Sequence, residues 1–186
     1  MKKTIVFILL FAMVFGLALL SAGGRKEEQT PVAAEQSPIP GIVLDASRNA
    51  PEDVLVGIGM AKEASISTSI ATAFNGAKKG LYDQIGYLAQ NAMTDFALSE
   101  EVDNSVFIPF MENIVRTIYG SNLPGVRTVI EEVVTDGNYY VVVYLSKANV
   151  FNEFNHALNT AFQNVPAMPS SYSGILRDMF IFHLQR

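Results

Sequence analysis

The segment VVTDGNYYVVVYLS, residues 133–146, constrains the fold of this chain more than any other. Its Asp136-Gly137 pair separates two runs rich in β-branched and aromatic residues, 126–135 and 139–146. Asp-Gly is favoured in the two-residue turn of an antiparallel hairpin, because that turn needs positive φ angles, which glycine adopts without steric cost. The segment therefore predicts a β-hairpin with a tight turn at Asp136-Gly137.

The second strand of this hairpin is apolar on both faces, which is not typical of a surface exposed to water. Successive side chains of a strand point to opposite faces. The two faces carry Tyr139, Val141, Val143 and Leu145 on one side and Tyr140, Val142 and Tyr144 on the other. Either helices cover both faces, or one face contacts another subunit. Tyr140 and Tyr144 are therefore candidate contacts for a partner or a ligand.

The apolar run VLVGIG at residues 54–59 predicts a further buried strand. Gly57 and Gly59 form a Gly-x-Gly pair, but Lys62 occupies the place of the third glycine in a dinucleotide-binding fingerprint. Glycine inside a strand marks the close approach of another backbone. We therefore expect these two glycines to pack against a helix.

A long helix is predicted after this strand, with its N-cap at Ser65 or Ser67. Apolar residues recur at steps of three and four, which indicates one buried stripe along a helix. The stripe consists of Ile70, Phe74, Ala77, Leu81, Ile85, Leu88 and Ala92.

Two more helices are predicted, at 106–119 and 149–163. Asp103 or Ser105 caps the first of them, and Pro109 is tolerated there only if it lies in the first turn. The order strand, two helices, hairpin and helix predicts an α+β fold, in which helices pack on a small antiparallel sheet.

The C-terminal segment SSYSGILRDMFIFHLQR, residues 170–186, is rich in apolar side chains. Such a segment either docks on its own core or contacts a partner or a second copy. Ile175, Phe180 and Phe182 are the candidate contact residues on the second interpretation.

The N-terminus has the layout of a secretory signal peptide. Lys2 and Lys3 precede an apolar run at residues 5–20, and small residues follow it. We expect residues 1–24 to be a signal peptide cleaved after Gly23 or Gly24, or else an uncleaved anchor formed by residues 4–22. In either form the positive charges place the body of the protein outside the cytoplasm, in a periplasm-like compartment.

Residues 25–51 differ in composition, with polar residues and four scattered prolines. Low hydrophobicity and proline predict a disordered linker. Residues 52–186 then form a single α+β domain ending in the apolar C-terminal segment, since a chain of 186 residues is long enough for one core.

Composition excludes several functional classes. The chain has no cysteine, which rules out disulfides, thiolate metal sites and a lipidated cysteine. A net charge of −5 makes nucleic acid an unsuitable partner. Of the two histidines, neither His156 nor His183 has an acid and a nucleophile arranged around it by sequence. We therefore predict no enzymatic activity, no catalytic or metal-binding residues and no cofactor.

Three segments resemble the Lpp-twenty type of bacterial lipoproteins, a family named after a twenty-kilodalton outer-membrane antigen. These are VGIGMA at 56–61, AKKGLYDQI at 77–85 and the hairpin at 133–146, and the similarity covers residues 51–160. Lys78 replaces the usual arginine, and the family's lipidated cysteine is missing. The resemblance implies an exported α+β domain at the outer membrane, in some members linked to envelope structures of flagellar motility, and it implies no enzymatic activity.

These observations predict an exported, non-enzymatic cell-envelope protein that acts through protein–protein contacts and associates with itself. An alternative is a periplasmic module that binds a small molecule in a pocket lined by Tyr139, Tyr140 and Tyr144. A third interpretation, a hydrolase, requires His156 or His183 to lie in a cleft beside an acid.

Overall fold

The computed structural model describes residues 39–133 and 136–186. The predicted signal peptide, its cleavage sites at Gly23 and Gly24 and residues 25–38 of the predicted linker lie outside this part of the chain. The expected membrane anchor at residues 4–22 lies outside it as well.

The described residues form an α+β fold, which confirms the predicted class. Along the chain the elements are α1 (Gly41–Arg48), β1 (Val54–Ala61), α2 (Ile66–Ser99), α3 (Asn104–Gly120), β2 (Arg127–Val133), β3 (Tyr139–Ser146), α4 (Lys147–Asn164), a 3-10 turn (Ser170–Tyr172) and α5 (Ser173–Leu184). The strands make one antiparallel sheet in the order β1-β3-β2. Helix α1 packs on one face of the sheet. Helix α2 packs on the other face, with α3, α4 and α5 around it.

The hairpin between β2 and β3 is confirmed, but its turn is not the predicted two-residue turn. A two-residue turn at Asp136-Gly137 would place Val133 opposite Tyr140, whereas Val133 lies opposite Tyr139. This register suits a loop with an odd number of residues, in which a left-handed residue completes the turn. Gly137 supplies that residue with a φ of 81°, and Asp136 Oδ1 accepts a hydrogen bond from the Asn138 backbone N–H at 3.1 Å.

The glycines of β1 allow α2 to lie almost against the strand. A Cβ atom built on Gly59 would lie 1.8 Å from the Ala73 carbonyl oxygen, and one on Gly57 would lie 2.3 Å from that of Ala77. Both distances are far below van der Waals contact, so only glycine fits at either position. The prediction that these glycines pack against a helix is confirmed.

Helix α2 begins where predicted, because the Ser65 hydroxyl accepts a hydrogen bond from the Thr68 backbone N–H. Its buried stripe includes Ala77, Leu81, Ile85 and Ala92 as expected. Three predicted members, Ile70, Phe74 and Leu88, are only partly buried. The fully buried apolar residues of α2 also include Ala73, Ala89, Met93 and Phe96.

Helix α3 begins earlier than predicted and contains a proline outside its first turn. Asp103 is the N-cap and accepts a hydrogen bond from the Ser105 backbone N–H, so the helix starts at Asn104. Pro109 is therefore the sixth helical residue and cannot donate a backbone hydrogen bond within the helix. The apolar side of α3, which is buried at Phe107, Phe110, Met111, Ile114 and Ile118, stabilises the helix in spite of this proline.

The prediction of a disordered linker over residues 25–51 is wrong at its C-terminal end, where residues 41–48 form α1. Pro40 precedes this helix as its N-cap residue and Pro51 follows it, so the prolines flank the helix without interrupting it. Val43 is fully buried against the sheet. The ordered domain therefore includes α1 and does not begin at residue 52.

Candidate interaction surface

The face of the sheet beneath α1 is an apolar and aromatic surface, which we call the α1 face. Its buried members are Tyr140, Val142 and Tyr144 of β3, with Val43 of α1 seated on them. Partly buried apolar residues complete it: Ala46, Ala50, Val54, Val56, Ile58 and Ile130. Residues from all three strands therefore contribute to this surface.

Within the part of the chain that the structure describes, few interactions hold helix α1 on this face. Val43 is its one buried side chain, while the neighbouring Ile42 is 52% exposed. The Tyr144 hydroxyl donates a hydrogen bond of 2.5 Å to the Ala46 carbonyl oxygen. A helix of eight residues does not persist by itself in water, because nucleation is unfavourable and few hydrogen bonds follow it. Packing on the sheet therefore stabilises α1.

The opposite face of β3 is covered by α2 and its neighbouring helices, and Val141, Val143 and Leu145 are buried there. Helices thus cover both faces of the hairpin strand, which is one of the two arrangements expected. Tyr140 and Tyr144 are only 2% and 8% exposed. They are not surface contacts for a partner or a ligand in this arrangement, because α1 covers them.

The C-terminal segment divides into a buried and an exposed part. Phe180 is fully buried and stacks on Phe154 with 3.9 Å between the ring centroids, so it is a core residue and not a surface contact. Ile175 and Phe182 remain 37% and 49% exposed, and the Arg186 guanidinium lies 4.1 Å from the Phe182 ring centroid. Of the five predicted contact residues, these two are accessible.

His183 pairs with an acid that sequence reasoning missed. Its Nε2 lies 2.7 Å from Asp95 Oδ2, which joins the end of α5 to α2 across 88 residues of sequence. Asp95 is the hydrogen-bond partner of this ring in the part of the chain that the structure describes. No described hydroxyl bonds to it as a nucleophile would. His156 is exposed on α4.

A second polar cluster, also missed from the sequence, joins α2 to the end of α3. The Tyr119 hydroxyl donates a hydrogen bond of 2.8 Å to Asp83, whose other oxygen pairs with Lys79 at 2.7 Å. The Tyr82 hydroxyl donates to the Ser121 carbonyl oxygen. Only the spacing of Lys79 and Asp83, four residues apart on a helix, could have indicated this cluster in advance.

The cluster changes the pKa values of its members. Burial and the hydrogen bond to Asp83 raise the pKa of Tyr119 to about 12. The hydrogen bond from Lys79 lowers the pKa of Asp83. Burial raises the pKa of Tyr82, and the nearby charge of Glu153, itself buried on α4, raises it further.

The two edges of the sheet differ. The Gln84 side chain of α2 donates a hydrogen bond of 2.8 Å to the Val56 carbonyl oxygen of β1. Strand β2 has β3 on one side and, within the described residues, no strand on the other. A bulge at Val129, which is 40% exposed, interrupts its pairing. Bulges of this kind are common at sheet edges and hinder pairing with another chain.

Within residues 39–133 and 136–186, no helix is both long enough and apolar enough to cross a lipid bilayer. In the same residues, no three histidine or acidic side chains are grouped so that they could hold a metal ion.

Comparison with protein-family models found no match, and comparison with curated proteins found none. The resemblance to the Lpp-twenty type of lipoproteins therefore stays a prediction that depends on the motifs in residues 56–61, 77–85 and 133–146.

Proposed function

We propose that this chain is an exported, non-enzymatic protein of the cell envelope that acts through protein–protein contacts and associates with itself. One observation carries the proposal: the α1 face contains two tyrosines and residues from three strands, yet within the described residues a single eight-residue helix covers it. A cover with one buried side chain is easily displaced. The surface it leaves is apolar enough to bind another polypeptide.

The contacts of His183 support the non-enzymatic part of the proposal. Its ring forms a hydrogen bond with Asp95, whose side chain is 48% exposed, and this pair connects the last turn of α5 to α2. This hydrogen bond fits a residue that holds α5 in place.

The sequence of the N-terminus supports export, and the mass and first residue of the protein taken from its native envelope test it. A mature chain beginning at Gly24 or Arg25 is the expected result. A chain that keeps Met1 in the membrane fraction would indicate the anchor at residues 4–22. A chain that keeps Met1 in the cytoplasmic fraction would contradict export.

Light scattering after size-exclusion chromatography tests self-association of the full chain in a mild detergent. Over a hundredfold range of concentration, we expect the protein mass to rise to that of a dimer or a larger assembly. A mass that stays at one chain over the whole range would contradict the proposal.

A further inference from the structure

The connection between α1 and β1 is short and exposed. Helix α1 ends where the Asn49 backbone N–H donates to the Asp45 carbonyl oxygen, at 2.9 Å. Strand β1 begins with a bond of 3.2 Å from the Val54 backbone N–H to the Pro51 carbonyl oxygen. Residues 49–53 lie between them and are exposed except for Ala50, which is partly buried at the α1 face. We call these five residues the hinge.

When α1 leaves the α1 face, the apolar side chains of that face become exposed to water. Tyr140, Val142 and Tyr144 are almost fully buried by the docked helix. Exposure of such a surface to water is unfavourable, so the open state favours association with any segment of matching shape and hydrophobicity. A second copy of the chain carries an identical α1. That helix can make the same contacts with the α1 face that the chain's own α1 makes, so the association requires no other binding surface.

The hinge is short, since only five residues separate the end of α1 from the start of β1. Short hinges of this kind promote the exchange of elements between chains. Pro51 adds stiffness, because its ring fixes one backbone angle. Within the described chain, α1 is the first element, so its departure requires no other element to move.

We propose that two copies of this chain exchange α1, each placing its Val43 on the α1 face of the other. The exchange rests on the proposed self-association and names its surface. The resulting dimer has two-fold symmetry and contains the contacts of the closed chain twice, with the two hinges crossing between the subunits.

Changes in hinge length test this exchange in the full chain. Inserting Gly-Ser-Gly-Ser between Ala50 and Pro51 allows each α1 to return to its own sheet, where its effective concentration is high. We expect the dimer dissociation constant, measured by light scattering over a dilution series, to rise at least tenfold. Deleting Glu52 shortens the hinge and is expected to lower that constant at least tenfold.

Two control variants accompany the hinge variants. The same four residues inserted between Glu100 and Glu101 lengthen another connection, and Val129→Lys adds a charge to the β2 edge. Both are expected to leave the dissociation constant within twofold of the unaltered chain. If Val129→Lys changes the dissociation constant more than the hinge insertion does, the contact between copies lies at the β2 edge and the exchange is overturned.

The outcomes separate this inference from the proposed function. If the chain associates and the two hinge variants leave the dissociation constant unchanged, or shift it in the same direction, the exchange is overturned and self-association stands. If the unaltered chain remains a monomer at every concentration, both are overturned. Opposite shifts from the insertion and the deletion support the exchange, since general destabilisation would move both variants the same way.

Discussion

Gly59 sets the distance between β1 and α2, because any side chain there would collide with the Ala73 carbonyl oxygen. We predict that Gly59→Ala lowers the free energy of unfolding by about 1–3 kcal/mol, the usual cost of overpacking, or by more, since the obstructing atom belongs to the backbone. Urea denaturation of the two proteins measures this difference.

Gly80 is the matched control for Gly59, since a Cβ atom added there meets nothing within 4 Å. Gly80→Ala replaces a glycine inside α2 and should raise the free energy of unfolding by up to about 1 kcal/mol. A Gly59→Ala variant as stable as the unaltered protein would contradict the close packing of β1 and α2.

Tyr119 gives the protein a specific sensitivity to alkaline pH. Its pKa is about 12 in the folded protein and near 10 in the unfolded chain. Between these values the unfolded chain has released a proton that the folded protein retains, so stability falls as pH rises from about 10 to about 12. The contribution is fully present below pH 10.

Urea denaturation at pH 9 and at pH 11 measures this effect, with Tyr119→Phe as the control. We expect the unaltered protein to lose more stability between the two pH values than the phenylalanine variant does. An equal loss in both proteins would show that Tyr119 ionises in the folded state as it does in the unfolded chain.

At the scale of elements, α3 contains a proline inside the helix, and the packing of its apolar side stabilises the helix in spite of it. Pro109 is exposed, so its replacement leaves no cavity. We predict that Pro109→Ala raises the free energy of unfolding by about 1–3 kcal/mol, because alanine restores a helical hydrogen bond and removes a steric clash. Thermal unfolding measures the gain, and an unchanged or lower melting temperature would contradict it.

The elements with strong local signals could be predicted from the sequence, while their boundaries and turns could not. Ser65 and Asp103 are good N-caps, and both begin helices. The register of the hairpin, with Val133 opposite Tyr139, is not determined by the Asp-Gly pair alone. The sequence does not predict α1, because eight residues between prolines contain too little periodicity to distinguish a helix from a linker.

The candidate surface was predictable only in part, for a related reason. The alternation in β3 indicated that both its faces need a cover, but not what covers them. Tyr144 donates to Ala46, 98 residues away, and His183 pairs with Asp95 across 88 residues. Contacts of this range depend on the tertiary fold and leave no local pattern in the sequence. Phe180 is buried and Phe182 is exposed, although both are phenylalanines of the same segment. Residue type alone therefore does not show which of them can contact a partner.

At the scale of the whole molecule, Val43 connects helix α1 to the sheet. We predict that Val43→Asp lowers the free energy of unfolding by about 1.5–3 kcal/mol, the value of one buried aliphatic side chain, or detaches α1 at a similar loss. Ile42→Asp is the matched control, since Ile42 is 52% exposed, and it should change stability by less than about 0.5 kcal/mol. Equal effects of the two variants, measured by urea denaturation, would contradict the docking of α1.

Amide hydrogen exchange at the end of α1 tests most directly the claim that this helix belongs to the folded domain and covers the α1 face. The Asn49 backbone N–H bonds to the Asp45 carbonyl oxygen. In the full chain we predict exchange at Asn49 at least about tenfold slower than in an isolated peptide of residues 37–52, with the difference lost in Val43→Asp. Exchange at the peptide rate in the unaltered protein would contradict the account.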